Sequence, residues 1–183
     1  AEELVLKYVN KGLSCTILNV SRVYGPGLKT YSNGVNKIIS KIIKDKFLFV
    51  PDKLKIEANY VFIDDVVNAQ ILALDKGISG QKYIIGGENE DYKGLLNRIK
   101  TISKSKISIF KINYNILKNG VALIDRFNIF FGNQSLLTPS VLDSLFTNRS
   151  ASCQKAVNGL DYKITPLNVG LKTTINYLSN RLS

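Results

Sequence analysis

The 183-residue sequence has no histidine, no methionine and no tryptophan, and only two cysteines and four prolines. Without histidine the chain holds no Ser-His-Asp or Cys-His triad, no His-ligated zinc and no imidazole general base of its own. Cys15 and Cys153 lie far apart and match no metal-ligand spacing. Two free thiols, buried or half-buried, in a reducing compartment are expected. No apolar run approaches the ~18 residues that a membrane-spanning helix needs. Ala1-Glu2-Glu3-Leu4 has neither the basic start nor the apolar centre of a signal peptide. With no Met even at position 1, the chain reads as processed, trimmed or partial. What is present, 45% hydrophobic and 21% charged residues, is globular composition and excludes a disordered or collagen-like chain.

The net charge is +11, and 20 of the 25 basic residues are lysine. A basic chain invites a nucleic-acid reading. Against it, the lysines are spread along the whole sequence, and no RNA-recognition or helix-turn-helix pattern is present. Lys, Asn and Ile share AT-rich codons, so genome composition is a simple rival cause. The densest cluster, Lys37, Lys41, Lys44 and Lys46, is read as the solvated face of an amphipathic helix, with an anion site as the alternative.

Along the chain, the periodicity predicts the end of a helix over 1–10, stopped by Gly12, and a buried strand over 14–20. Ser21 to Gly27 is rich in turn formers and reads as a loop. A helix from about Asn33 carries Val35, Ile38, Ile39, Ile42 and Ile43 on its apolar stripe. Strands are expected at 47–50, closed by Pro51, and at 59–63. Asp64-Asp65 suit the first turn of the next helix, because carboxylates favour its positive end. That helix carries Val66, Val67, Ala69, Ile71, Leu72 and Leu74. A strand over 82–85 ends at Gly86-Gly87, read as a strand-to-helix turn, and Asp91 caps a helix containing Leu95, Leu96 and Ile99. A strand at 107–112 and helices near 114–131, 138–146, 152–158 and 166–182 complete the pattern. Thr138-Pro139 and Thr165-Pro166 both read as a capping hydroxyl followed by proline in the first helical position. The order is mixed α and β, with helices dominating the second half.

Four segments together carry a resemblance. Ser14-Cys15-Thr16-Ile17-Leu18 with Ser21-Arg22-Val23-Tyr24-Gly25-Pro26-Gly27 is the first, and Asn59-Tyr60-Val61-Phe62-Ile63-Asp64-Asp65 the second. Lys82-Tyr83-Ile84-Ile85-Gly86-Gly87 is the third, and the tail from Cys153 through Pro166-Leu167 to Gly170-Leu171 the fourth. In this order they resemble the extended short-chain dehydrogenase/reductases, in particular NAD-dependent epimerase/dehydratases and dihydroflavonol-reductase-like enzymes. The resemblance implies an α/β fold: the C-terminal portion of a Rossmann-type, NAD(P)-binding fold plus a small mixed α/β substrate-binding lobe. Residues 1–27 and 81–90 would belong to the Rossmann part, and 28–80 and 91–183 mainly to the lobe. The family's glycine-rich fingerprint is absent from this sequence, and no Tyr-x-x-x-Lys stands near the first helix, where the resemblance would place the catalytic pair; the same spacing occurs only far downstream, at Tyr114 and Lys118. The chain is therefore expected to be the substrate-binding half of a longer enzyme, inactive alone, with no catalytic residue of its own.

The resemblance also implies roles for individual residues. Val20, Ser21 and Val23 would line the nicotinamide of NAD or NADP. Arg22, Tyr24 and Asn59 would face a small-molecule substrate, with Tyr24 equally readable as core. Nucleotide-sugar epimerases typically place an Arg-Asp pair where this chain has Ala58-Asn59, so a phosphate clamp is missing there. That favours a reductase- or dehydrogenase-like enzyme over a nucleotide-sugar epimerase or dehydratase. Lys29 or the lysines near 37–46 are substitutes for the clamp. Asp64 and Asp65 read as helix-capping rather than catalytic, and Tyr60 as core. No metal, no specific nucleic acid, no membrane, a cytoplasmic location and a homodimer complete the expectation. The rival from another class is a non-catalytic, Rossmann-like binding or regulatory protein.

Overall fold

A single extended run serves two sheets. In the computed structural model, which describes residues 2–27, 33–132 and 138–181, strand β1 (Ile17–Val20) pairs in parallel with β5 (Lys82–Ile85). After Ser21 the same run continues as β2 (Arg22–Tyr24), which pairs in parallel with β4 (Glu57–Phe62) in a second sheet. The expected loop over 21–27 is thus half strand. Arg22–Tyr24 is too short to show its period, and its ladder partner lies far along the chain.

The partner chain segment makes the same change of sheet at the same level. β5 ends at Gly86-Gly87 and the backbone re-enters as β6 (Glu88–Asp91), antiparallel to β4. The expected strand-to-helix turn is therefore a strand-to-strand turn. Both glycines are required by close approach: a Cβ on Gly87 would stand 2.1 Å from the Tyr60 carbonyl oxygen, and one on Gly86 2.5 Å from Asn59 Oδ1. A third sheet joins β3 (Phe47–Pro51) and β7 (Ser108–Ile112) in parallel.

Helices α1 (Glu2–Val9), α2 (Gly34–Lys44), α3 (Ile63–Lys76) and α4 (Tyr92–Ser103) alternate with these strands. Helices α5 (Tyr114–Phe130), α6 (Pro139–Leu145), α7 (Gln154–Leu160) and α8 (Leu167–Asn180) follow. Asn33, Asp91 and Thr138 accept hydrogen bonds from the first-turn amides of α2, α4 and α6, satisfying donors that a helix start leaves unpaired. Thr165 does not repeat the device. Its amide and hydroxyl both donate to the buried Asp65 carboxylate, at 2.8 and 2.6 Å. The start of α8 is served instead by Glu88, whose Oε1 accepts from the Leu167 amide.

The larger core lies between α2, α4, α8 and β4, with Ile39, Ile42, Leu95, Leu96, Ile99, Leu167 and Leu171 at its centre. The expected α2 stripe is there, and Lys37, Lys41, Lys44 and Lys46 point to solvent. A smaller core joins β5 to α3 and α7 through Val66, Ala69, Tyr83, Ile85, Ala156 and Leu160. Cys153 is buried in it, Cys15 is half-buried, and both are free. Lys29 lies outside the described residues.

Candidate functional site

The carboxyl end of the β1–β2 run opens on a cavity of about 750 Å³, the position at which parallel strands present ligands. One wall is Ser21 to Gly27, and the facing walls come from the start of α2, from Tyr60 on β4, from Tyr92 and Leu95 on α4, and from Leu145-Phe146 at the end of α6. Each wall has its own anchor. Gly25 adopts φ +142°, and a Cβ there would meet Ile63 Cγ2 at 2.4 Å. Its carbonyl accepts from Asn36 Nδ2 at 2.7 Å and its amide donates to Asn36 Oδ1 at 3.3 Å. The Gly25-Pro26-Gly27 turn is thereby pinned to α2.

Arg22 is the one charged residue among the described lining residues. Its Nη2 donates to the Leu145 carbonyl at 3.1 Å. Its guanidinium also hydrogen-bonds the Tyr60 phenol; this pulls that pKa down while burial, the larger effect, pushes it up. Burial likewise pushes the Tyr92 phenol up to about 12, and the edge of Phe146 stands against it with centroids 6.1 Å apart. The cleft thus sets one fixed cation and two protonated phenols in an otherwise apolar and aromatic surface, suited to an anionic or oxygen-rich group at one end and a flat or apolar group along the rest.

Ser21 stands where β1 gives way to β2. Its amide donates to Ile85 O at 3.0 Å, yet its Oγ is buried with no hydrogen-bond partner. A buried hydroxyl without a partner costs free energy, and such an atom at the mouth of a cleft suits a ligand amide or hydroxyl. This fits a nicotinamide carboxamide. Val23 lines the same wall, whereas Val20 stands outside the lining residues, 41% exposed at the end of β1.

Tyr24 is core and wall at once. It is 1% exposed and touches the cavity. Its hydroxyl lies 3.5 Å from Leu167 O, and Gly170 makes room for it, since a Cβ there would sit 2.3 Å from Tyr24 Oη. Burial raises its pKa.

Asn59 does not face the cleft. It is 1% exposed, and its amide ties together three backbone segments. Oδ1 accepts from Gly87 N at 2.8 Å, while Nδ2 donates to Gly87 O, Asn89 Oδ1 and Ala151 O. With every polar atom of its side chain engaged, it holds the β5–β6 turn against β4 rather than a substrate. Asp64 and Asp65 lie in the first turn of α3 as expected, but neither caps it: Phe62 is the N-cap, with no side-chain cap bond, and the Asp65 carboxylate instead anchors Thr165. Tyr92, Phe146 and Asn36 are site residues that sequence reasoning missed. Asn36 alone carries a signal, as a polar side chain in the first turn of a helix that follows a glycine-rich loop.

Residues 1–86 match the model of the NAD dependent epimerase/dehydratase family. A UDP-N-acetyl-alpha-D-glucosaminuronate decarboxylase of Bacillus cytotoxicus is 31% identical over 91 residues, covering 49% of this chain and 28% of that protein. Among solved structures, the UDP-glucose 4-epimerase of Thermotoga maritima with UDP-glucose superposes with a TM-score of 0.75 at 20% identity, over 100% of this chain and 52% of that one. The UDP-glucuronic acid 4-epimerase of Bacillus cereus, in complex with UDP-glucuronic acid and NAD, gives 0.69 at 19% identity, over 98% and 50%. The chain spans less than a third of the curated relative and about half of each of these solved chains. Over nearly its whole length it has the mixed α/β fold, with parallel sheets, of Rossmann-like sugar-nucleotide epimerases, and its first 86 residues carry the NAD dependent epimerase/dehydratase pattern.

Proposed function

We propose that this chain is the substrate side of an NAD(P)-dependent sugar-modifying enzyme of the epimerase/dehydratase family. The observation that carries this reading is the cleft at the β1–β2 sheet switch, bounded by Ser21, Arg22 and Val23 within the region that matches the family. In this reading residues 1–27 and 81–90 complete a Rossmann sheet, and 28–80 with 91–183 form the lobe that covers the substrate. The cofactor, when bound, supplies or takes up hydride. The chain's own part is to bind and orient. Ser21 Oγ offers a hydrogen bond to the nicotinamide side, and Arg22, fixed by Leu145 O and Tyr60, grips an anionic or hydroxyl-rich part of the substrate. Tyr60, Tyr92 and Phe146 exclude water and hold a flat or apolar group. No proton-moving role is assigned within this chain: its Tyr-x-x-x-Lys spacing, Tyr114 and Lys118, is engaged with Asp143 and does not line the cleft.

The reaction is carbonyl reduction or sugar-type epimerisation. A nucleotide sugar is the second reading, favoured by the UDP-sugar complexes among the structural relatives. Ala58-Asn59 at the clamp position and a single lining cation argue for a less highly charged substrate. The test is a titration of NADH and NADPH against this chain and against the chain joined to a family-type cofactor half. Binding by the joined protein and none by the chain alone is expected. Tight binding by the chain alone would show that the cofactor site is misplaced.

A further inference from the structure

Helix α5 shows its apolar face to the wrong side. It buries Tyr114 and Val121 against Leu142 of α6. Ile116, Leu123, Ile124, Phe127, Phe130 and Phe131 are all between 59% and 83% exposed. At about 100° per residue these six fall within an arc of roughly 120°, opposite the buried pair. The rings are gathered rather than scattered: Phe131 stands 4.7 Å from Phe127 and 5.3 Å from Phe130, centroid to centroid. Gly120 falls in the same arc and has open space where a Cβ would be. An exposed apolar stripe of this size on a helix whose other face is packed is an interaction surface, not chance exposure.

The charge of the chain selects among occupants. Between residues 104 and 131 Lys104, Lys106, Lys111 and Arg126 stand against one acidic side chain, Asp125, while Lys118 is paired with Asp143 of α6. The whole chain carries +11. A second copy would bring two strongly cationic bodies together, whereas an anionic surface is attracted. The 17 residues of α5 form a rod of about 25 Å, and its packed face keeps it lying along the domain. No helix among the described residues is long and apolar enough to cross a membrane.

We propose that the exposed face of α5 docks in the plane of an anionic lipid bilayer, its aromatic and aliphatic stripe entering the boundary between headgroups and acyl chains. Phe and Leu on one face with a cation at its border, here Arg126, is the pattern of such interfacial helices, and the net positive charge of the chain adds to the attraction of an anionic surface. This contact is peripheral and departs from the sequence-based expectation of no membrane partner.

The experiment is co-sedimentation of the chain with vesicles of phosphatidylcholine, with and without about one-third phosphatidylglycerol. The chain is expected to sediment with the anionic vesicles, and less so in about 0.5 M salt. Leu123→Gln/Phe127→Gln/Phe130→Gln should reduce the bound fraction by about tenfold or more, with circular dichroism reporting whether the fold persists. Should that variant unfold, Arg126→Glu, which leaves the stripe intact, is expected to weaken binding to anionic vesicles several-fold. Ile71→Gln/Leu74→Gln, on the exposed face of α3, should bind as the parent does. The proposal is overturned if the parent stays in solution, if binding ignores lipid charge, or if the α3 variant loses as much as the α5 variant. It is equally overturned if the folded α5 variant binds vesicles unchanged and loses only self-association.

Discussion

Helices α8 and α3 have 14 residues each, and their fates differ. α8 buries Leu167, Gly170, Leu171, Thr174, Ile175 and Leu178 between α2, α4 and β4. α3 buries only Asp65, Val66 and Ala69, and leaves Val67, Ile71 and Leu74 at 48%, 60% and 90% exposure. The same contrast holds for the regions they belong to. The interior beneath the cleft closes on itself. The β1–β5 pair is a two-stranded parallel sheet flanked by exposed Leu4, Tyr8, Val20 and Ile84. Parallel sheets are stable when both faces are covered, so this region is built to receive another layer. The region around α8 therefore buries its apolar faces within this chain, whereas the β1–β5 region leaves several of its own exposed.

The contrast is most easily broken at the joint between the two regions. Gly87→Ala forces a Cβ into the Tyr60 carbonyl and should cost about 3 kcal/mol or more, read as a lower urea midpoint. Retention of the parent midpoint would show that the β5–β6 turn is not tight. Leu171→Ala, in the fully buried face of α8, should cost about 3 kcal/mol.

A smaller effect comes from pH. Burial raises the phenol pKa of Tyr24 and of Tyr162 above the ordinary value. A group whose folded pKa is raised contributes fully below its unfolded value, near 10, and the contribution is lost as pH rises beyond it. Stability should be flat through neutral pH and fall above about pH 10, by up to about 1.4 kcal/mol per pH unit for each phenol. Tyr162→Phe should flatten that fall, and an unchanged alkaline slope would remove this phenol from the account. Leu74→Ala, at the other end of the comparison, should change stability by less than about 0.5 kcal/mol in this chain. A cost as large as that of Leu171→Ala would erase the contrast between the helices.

Much of the framework was legible because its signals are local. The α2 stripe, the Asp91 and Thr138 caps and the strand over 82–85 each declare themselves within a few residues. The missed elements depend on distant partners. β2 is three residues long and exists because β4 lies beside it. β6 carries Glu-Asn-Glu-Asp, a poor strand sequence that is held by β4 and by Asn59. Thr165-Pro166 has the pattern of a cap, but Asp65, 100 positions away, takes both donors of Thr165. For the site, Ser21, Arg22, Val23 and Tyr24 could be placed at the cleft from the segment they share. Asn59 could not, because nothing in the neighbouring residues shows that its amide will be consumed by Gly87, Asn89 and Ala151.

The central claim is that the Arg22 cleft holds the substrate of an NAD(P)-dependent enzyme. It is tested most directly by Arg22→Ala in the chain joined to a family-type cofactor half, with turnover of a UDP-sugar and of a simple sugar carbonyl measured at varied concentration. The account predicts a KM at least about tenfold higher for whichever substrate is used, because a charge-assisted contact is lost, with the affinity for NADH unchanged. An unchanged KM, or an equal loss of NADH binding, would contradict it.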